Sequence, residues 1–212
     1  LGDIFDFWFD YKQVVPKGYM RLFGKLAELR DLGITITFFT GNHDMWMFQY
    51  FEEEFGITTY REPIIQKING KTFFIGHGDG KGPADYGYKI LKKIFASKLC
   101  QWLFARLHPN FGLWLATTWV VKSKGEKPQS PKFYGMEHER LYQYAVKKSA
   151  TIAADYFIFG HRHLPINTLL PNRKSRYINI GDWLVHNSYG VFDGEKMDIQ
   201  FFESELEEVY SI

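Results

Sequence analysis

Cysteine is nearly missing from this chain: Cys100 is the only one in 212 residues. A lone thiol excludes an intramolecular disulfide framework and suits a reducing compartment, with an inert, buried side chain as the plain expectation. Long apolar runs are missing as well. Nothing approaches the roughly 20 residues that cross a bilayer as a helix, and no signal peptide is visible. There is no internal repeat and no low-complexity tract. Charge of one sign is also scarce overall, since a net charge of +2 is too small to name a partner. At 45% hydrophobic the chain can bury a sizeable core, and one domain with an insertion is the expectation.

What is present centres on Gly41-Asn42-His43-Asp44, directly after the apolar, β-branched run Ile34–Phe39. That run predicts a buried strand, so the strand ends in a turn that presents an amide, an imidazole and a carboxylate. Sites in open α/β sheets are built at that edge. The pattern recurs where Phe73-Phe74-Ile75 meets Gly76-His77-Gly78-Asp79 and where Tyr156–Phe159 meets Gly160-His161-Arg162-His163. The chain opens on Leu1-Gly2-Asp3, with no initiator Met. A preceding strand is therefore expected upstream. These junctions together predict a convergent polar cluster.

The intervening sequence predicts an aromatic, acidic loop over 3–15 and a helix from Pro16 carrying Leu22, Leu26 and Leu29 to Gly33. A short helical segment around 45–54 follows. Residues 63–75 predict a hairpin turning at Asn69-Gly70, and strands are predicted at 155–159, 165–170, 176–180, 188–193 and 196–202. Residues 81–150 differ from the rest. They predict two or three helices and hold 13 lysines and arginines against 4 acidic residues, with twelve aromatics that include Trp102, Trp114 and Trp119. A basic, aromatic helical insert reads as a lid for an anionic, partly apolar ligand, or as a patch for a membrane surface or nucleic acid. Packing of the insert's own core explains many of its aromatics, but not the segregation of charge.

Aspartate, asparagine and histidine at strand ends suit Mn, Fe or Zn, and the absence of clustered cysteine argues against a structural zinc site. His161 and His163 flank one residue, so in an extended turn they project to opposite sides and suit two different ions. A carboxylate such as Asp3 can bridge two ions about 3.5–4 Å apart, the arrangement used for phosphoryl transfer. Asn42 adds a neutral oxygen that limits charge build-up. Each residue alone has an ordinary explanation, Asp3 as a turn carboxylate or His77 as a core histidine; their joint occurrence favours ligands.

In order, Gly2-Asp3, Gly41-Asn42-His43-Asp44, Gly76-His77 and Gly160-His161-Arg162-His163 resemble the calcineurin-like metallophosphoesterase superfamily across essentially the whole chain. The resemblance implies a four-layer α/β/β/α sandwich, with 1–80 and 151–212 as the metallophosphoesterase core and 81–150 as a helical lid insertion. It implies two divalent metal ions, with Mn2+ expected. Asp3 bridges them, Asn42, His77 and His161 hold one, and His163 holds the other with an Asp-x-His motif from the preceding strand. His43 is implied as a catalytic, non-ligand group, its tautomer held by Asp44. Asp79 is either an outer support for a ligating imidazole or a turn cap.

Within that superfamily, the opening Gly2-Asp3-Ile4-Phe5-Asp6-Phe7-Trp8, the His77-Gly78-Asp79 triplet and the helical insert after it resemble the UDP-2,3-diacylglucosamine pyrophosphohydrolases of lipid A synthesis. This implies hydrolysis of a UDP-linked acylated sugar to UMP and diacylglucosamine 1-phosphate. It also implies a cytoplasmic enzyme whose lid touches the anionic inner-leaflet membrane surface. Asp85 and Tyr88 are implied as sugar contacts, and Trp8 as a neighbour of the acyl chains, core packing being equally open for Trp8. Lys122, Lys124 and Arg140 are candidate phosphate contacts. His43 stands where the best-known members carry arginine. Two rivals remain: a metallophosphodiesterase acting on nucleic acid or a nucleotide, and a non-catalytic scaffold. No nucleic-acid partner is expected, because the insert's aromatics sit in apolar runs rather than among arginines.

Overall fold

A computed structural model describes residues 1–83, 86–124, 131–203 and 208–211, with the side chains of 123 and 124 left aside. The protein is mixed α/β and divides into two compact units, Leu1–Arg61 with Tyr86–Glu126 and Glu62–Asp85 with Lys127–Ile212.

The first unit is held by aromatic rings. Its opening loop delivers Phe5 and Trp8 into a core with Phe23, Leu26, Phe38, Met47, Phe51 and Ile57. Phe5 and Trp8 lie 4.6 Å apart and Trp8 and Phe51 5.2 Å apart, ring centre to ring centre. Helix α1 (Met20–Asp31) supplies Phe23 and Leu26. It starts four residues later than Pro16 because Gly18, at φ 101°, turns the chain first; Leu22, expected inside, is on the exposed side. Strand β1 (Thr37–Phe39), helix α2 (Tyr50–Phe55) and strand β2 (Thr58–Tyr60) then form a βαβ unit with parallel pairing. The predicted strand over 34–39 is cut to three residues. Strand β2 offers only three partners, and Ile34 is held at the end of α1, donating its amide to Leu29 and accepting from the Arg30 guanidinium.

Asp10 fixes the entry to α2. One carboxylate oxygen accepts from the amides of Phe48, Gln49 and Tyr50, the donors that a helix start leaves unpaired. Gly56, at φ 63°, closes the same helix. Helices α3 (Tyr86–Ala96), α4 (Lys98–Phe104) and α5 (Pro109–Lys124) complete this unit. They hide little of their apolar surface: Ile90, Ile94, Trp102, Leu103, Phe111, Trp114 and Trp119 are all more than half exposed. Cys100 on α4 is half-buried, and desolvation pushes its thiol up, away from reactivity.

In the second unit, strands β3 (Ile64–Ile68) and β4 (Lys71–Gly76) pair as the expected hairpin. Asn69 (φ 46°) and Gly70 (φ 79°) both take the left-handed backbone that a two-residue hairpin turn with this twist demands. Strands β5 (Tyr156–Phe159), β6 (Pro165–Leu169) and β7 (Arg176–Ile180) join them in a five-stranded sheet of order β3-β4-β5-β7-β6. Strands β4, β5 and β7 are parallel neighbours, and the two edge strands run antiparallel to them. Every residue of β5 is buried, as suits a central parallel strand covered on both faces. Helix α6 (Arg140–Ser149) packs Leu141 and Ala145 into the core with Phe157, Phe159, Leu164, Ile166 and Tyr177. A final hairpin, β8 (Ser188–Phe192) and β9 (Met197–Phe201), turns at Asp193-Gly194 as expected. Among the described residues no helix is long and apolar enough to cross a membrane.

Phe157 is fully buried in the middle of the central strand. Phe157→Ala is expected to cost about 3–5 kcal/mol, read as a lower urea midpoint in equilibrium unfolding, since the close-packed core cannot collapse onto the vacated volume.

Candidate metal centre and catalytic turns

In the first unit the turn 41–44 is stitched to residues 3–8. Asp44, fully buried, accepts from the Gly41 amide at 2.6 Å and from the Ile4 amide at 2.8 Å. The His43 amide donates to the Asp3 carboxylate at 2.8 Å, and the Trp8 amide to the His43 carbonyl at 3.2 Å. Asp3 itself has φ 53°, a conformation that aspartate tolerates better than most residues. Gly41 is glycine for want of room: a Cβ there would overlap the Asp3 carboxylate and amide. The ring of His43 is oriented differently from expectation. Its Nδ1 lies 3.0 Å from the backbone carbonyl of Asp6, which fixes Nδ1 as the donor. The amides of Gly41 and Ile4 engage the two oxygens of Asp44, while the Nδ1 of His43 meets the Asp6 carbonyl.

In the second unit the site follows from strand register. Gly76 pairs with Phe159, and Phe159 with Asn179, so three parallel strands end level with one another. The Gly160 amide then donates to the His77 carbonyl at 3.1 Å. His77 is buried, and its ring centre lies 5.1 Å from that of His161. Their ring nitrogens fall within 4.8 Å of each other, close enough for one ion to gather both. His161 (φ 62°) and His163 (φ 60°) are both left-handed, not extended as the alternation argument assumed. They still part company: His161 faces His77, while His163 Nδ1 lies 3.4 Å from Asp182 Oδ2.

Such left-handed residues cost of order 1–3 kcal/mol each unless their surroundings over-determine them. Here the surroundings do. Between the two histidines Arg162 makes a two-pronged pair with Glu139, at 2.7 and 2.9 Å, and also donates to the Lys132 carbonyl. Asn179, fully buried, donates to the Gly160 carbonyl at 2.5 Å and accepts from the Gly181 amide at 3.3 Å. Beside these turns opens a cavity of about 360 Å³ lined by Lys81, Arg140, His161, Arg162 and His163 among others. Two of its cations already have carboxylate partners, Lys81 with Glu62 at 2.5 Å and Arg162 with Glu139. Imidazoles and carboxylates of this kind form a donor set for divalent metal ions.

No family model matches the chain. Curated relatives do. It is 37% identical to the UDP-2,3-diacylglucosamine hydrolase of Porphyromonas gingivalis over 96% of this chain and 82% of that one. The enzyme of the same name from Aeromonas hydrophila is 32% identical, over 89% of this chain and 77% of that one. The Aeromonas salmonicida enzyme of the same name is 27% identical, over 89% and 73%. The chain belongs to the UDP-2,3-diacylglucosamine hydrolase family.

A hydrolase of this family should carry substrate contacts as well as metal ligands, and the structure distributes the expected ones unevenly. Trp8 is 1% exposed in the aromatic core, its indole N–H donating to Asp10, so in this conformation it packs rather than faces a ligand. Tyr88 is half-buried on α3, and Lys122 is exposed on α5, both in the first unit. Arg140 lines the cavity of the second unit. Asp85 lies outside the described residues, as does the side chain of Lys124. Asp79 is buried beside His77 in sequence.

The sequence reading missed Asp182 and His186. Burial alone would push the Asp182 carboxyl up. A hydrogen bond from the His163 side chain and others from the amides of His186, Val185 and Leu184 outweigh it and hold that carboxyl well below the usual carboxylate range. The signal was present, because Ile178-Asn179-Ile180 runs into Gly181-Asp182 as the other strands run into their glycine turns.

Gly41→Ala should push the Asp3 carboxylate off the 41–44 turn. The expected result is a displaced Asp3 in a crystal structure and a loss of about 1–3 kcal/mol in thermal unfolding, typical of overpacking a tight site.

Proposed function

We propose that this protein hydrolyses the pyrophosphate bond of UDP-2,3-diacylglucosamine, releasing UMP and 2,3-diacylglucosamine 1-phosphate. What carries the reading is the 37% identity along almost the whole chain to an enzyme named for that substrate. The strand-end histidines of the second unit and the basic cavity beside them support it. In this reading two divalent ions, Mn2+ the expected species, are held by Asp3, Asn42, His77, His161 and His163. Bound there, the ions would polarise the phosphoryl group and supply a nucleophile at neutral pH.

The chain's own groups do the rest. With Nδ1–H committed to the Asp6 carbonyl, Nε2 of His43 accepts in the neutral ring, and only as an imidazolium does it donate to a phosphoryl oxygen or protonate the departing group. Charge that builds on phosphoryl oxygens in the transition state is offset by such a positioned donor. Arg140, at the cavity wall, would neutralise a substrate phosphate, and Lys81 would do so on exchanging its Glu62 partner. Tyr88 and Asp85 are proposed sugar contacts, and Lys122 and Lys124 further phosphate contacts. Trp8 would join the acyl-chain wall only after leaving its present packing. The helical stretch within 81–150 is proposed as a lid on a four-layer α/β/β/α core, and its exposed Trp102, Trp114 and Trp119 as the surface that meets acyl chains and the anionic inner leaflet. This would place the protein at the cytoplasmic face of the membrane.

The test is UMP release from UDP-2,3-diacylglucosamine in detergent micelles with Mn2+. Turnover should far exceed that of single-stranded nucleic acid or a simple aryl phosphodiester. Stripping the metal with EDTA should abolish it, and Mn2+ should restore it. His43→Ala should lower kcat by about 10²–10⁴-fold, the usual worth of a general acid or its equivalent. Turnover of the aryl ester alone would retain the hydrolase and discard the substrate.

A further inference from the structure

The fifth glycine junction contains a carboxylate whose two oxygens have different work. Asp182 follows β7, with 6% of its side chain exposed. Oδ1 accepts from the amides of Leu184, Val185 and His186 at 3.1, 2.8 and 3.0 Å, which closes the loop after the strand. Oδ2 takes no part in those three bonds. It faces two imidazoles instead, His163 Nδ1 at 3.4 Å and His186 Nδ1 at 3.5 Å. His186 is 3% exposed and His163 about a third exposed, so one ring lies inside, near the carboxylate, while the other stands at the surface of the site.

We propose that Asp182 is a positioning residue for His163: its Oδ2 accepts from Nδ1–H, so that Nε2 is the one ring nitrogen presented to a divalent ion. This rests on the reading of His163 as a metal ligand. A loop carboxylate needs only one oxygen for the amides of 184–186. A second oxygen set between two Nδ1 atoms has no part in the turn. A carboxylate behind a ligating imidazole fixes its tautomer and orientation and makes the far nitrogen a stronger donor.

Asp182→Asn separates the two tasks. Asparagine keeps an Oδ1 acceptor for the three amides, but its amide group cannot accept from Nδ1–H. Mn2+ titration of the full-length protein, followed by calorimetry and by EPR of the free ion, reads the consequence. Asp182→Asn should weaken Mn2+ binding at one site by roughly 10–100-fold while the thermal midpoint stays near that of the unaltered protein. His163→Ala should lose the same site. Unchanged Mn2+ affinity in Asp182→Asn beside a lost site in His163→Ala would overturn the positioning role and leave the ligand reading intact. No loss in His163→Ala would remove the ligand reading and this inference with it. A measurement on the unaltered protein covers the case in which the asparagine variant folds poorly. Long-range proton–nitrogen NMR should find His163 as the Nδ1–H tautomer without metal, and an Nε2–H tautomer would overturn the proposal.

Discussion

The parallel pairing of β4, β5 and β7 is the constraint on which the rest of the second unit depends. Parallel strands in register end at one edge of their sheet, and each of these three ends in a glycine turn followed by His77, His161 or Asp182. Had β5 slipped by one residue, Phe157 and Phe159 would have exchanged faces with Tyr156 and Ile158, and the packing on both covered faces would be lost. The apolar core thus sets the placement of the polar groups. The edge strands β3 and β6 run the other way and carry none of these residues.

What keeps those turns in shape is a set of buried and half-buried polar groups with every visible task assigned. Asp44 knits two backbone segments, Asp10 caps α2, Glu139 holds Arg162, and Asn179 ties the Gly160 turn to the Gly181 turn. Hydrogen bonds to charged groups contribute about 1.5–3 kcal/mol each, and more is lost when a buried partner is left behind. The left-handed histidines stand against this supply. Strain at two residues is tolerated because the loop around them cannot relax without giving up the Arg162–Glu139 pair. Backbone strain and polar stabilisation therefore meet at the same few residues.

Much of this was legible in the sequence, for identifiable reasons. Asn69-Gly70 announces its hairpin because few other pairs accept two left-handed residues in succession. The strands from 165 onward fall within a residue or two of expectation, since turn residues bracket each one. The glycine-histidine junctions stood out because each follows an apolar run. Other features were decided by contacts that a linear pattern cannot carry. Ile34–Phe39 reads as one strand, yet its length depends on how many partners β2 provides. Trp8 sits beside motif residues in sequence but is claimed by Phe5, Phe23 and Phe51. Asp182 escaped notice because no histidine follows its glycine directly, although His163 and His186 converge on it in space. The partner of His43 could not be read either, because a backbone carbonyl leaves no trace in residue identity.

The central claim is that the strand-end histidines of the sheet gather divalent metal. It is tested most directly by anomalous diffraction at the manganese edge on crystals of the full-length protein grown with Mn2+. The account predicts one anomalous peak at bonding distance, about 2.1 Å by analogy with metal–imidazole bonds, from both His77 and His161, and a second at the same distance from His163. Manganese found elsewhere, or none at these rings in a protein that still turns over its substrate, would contradict it.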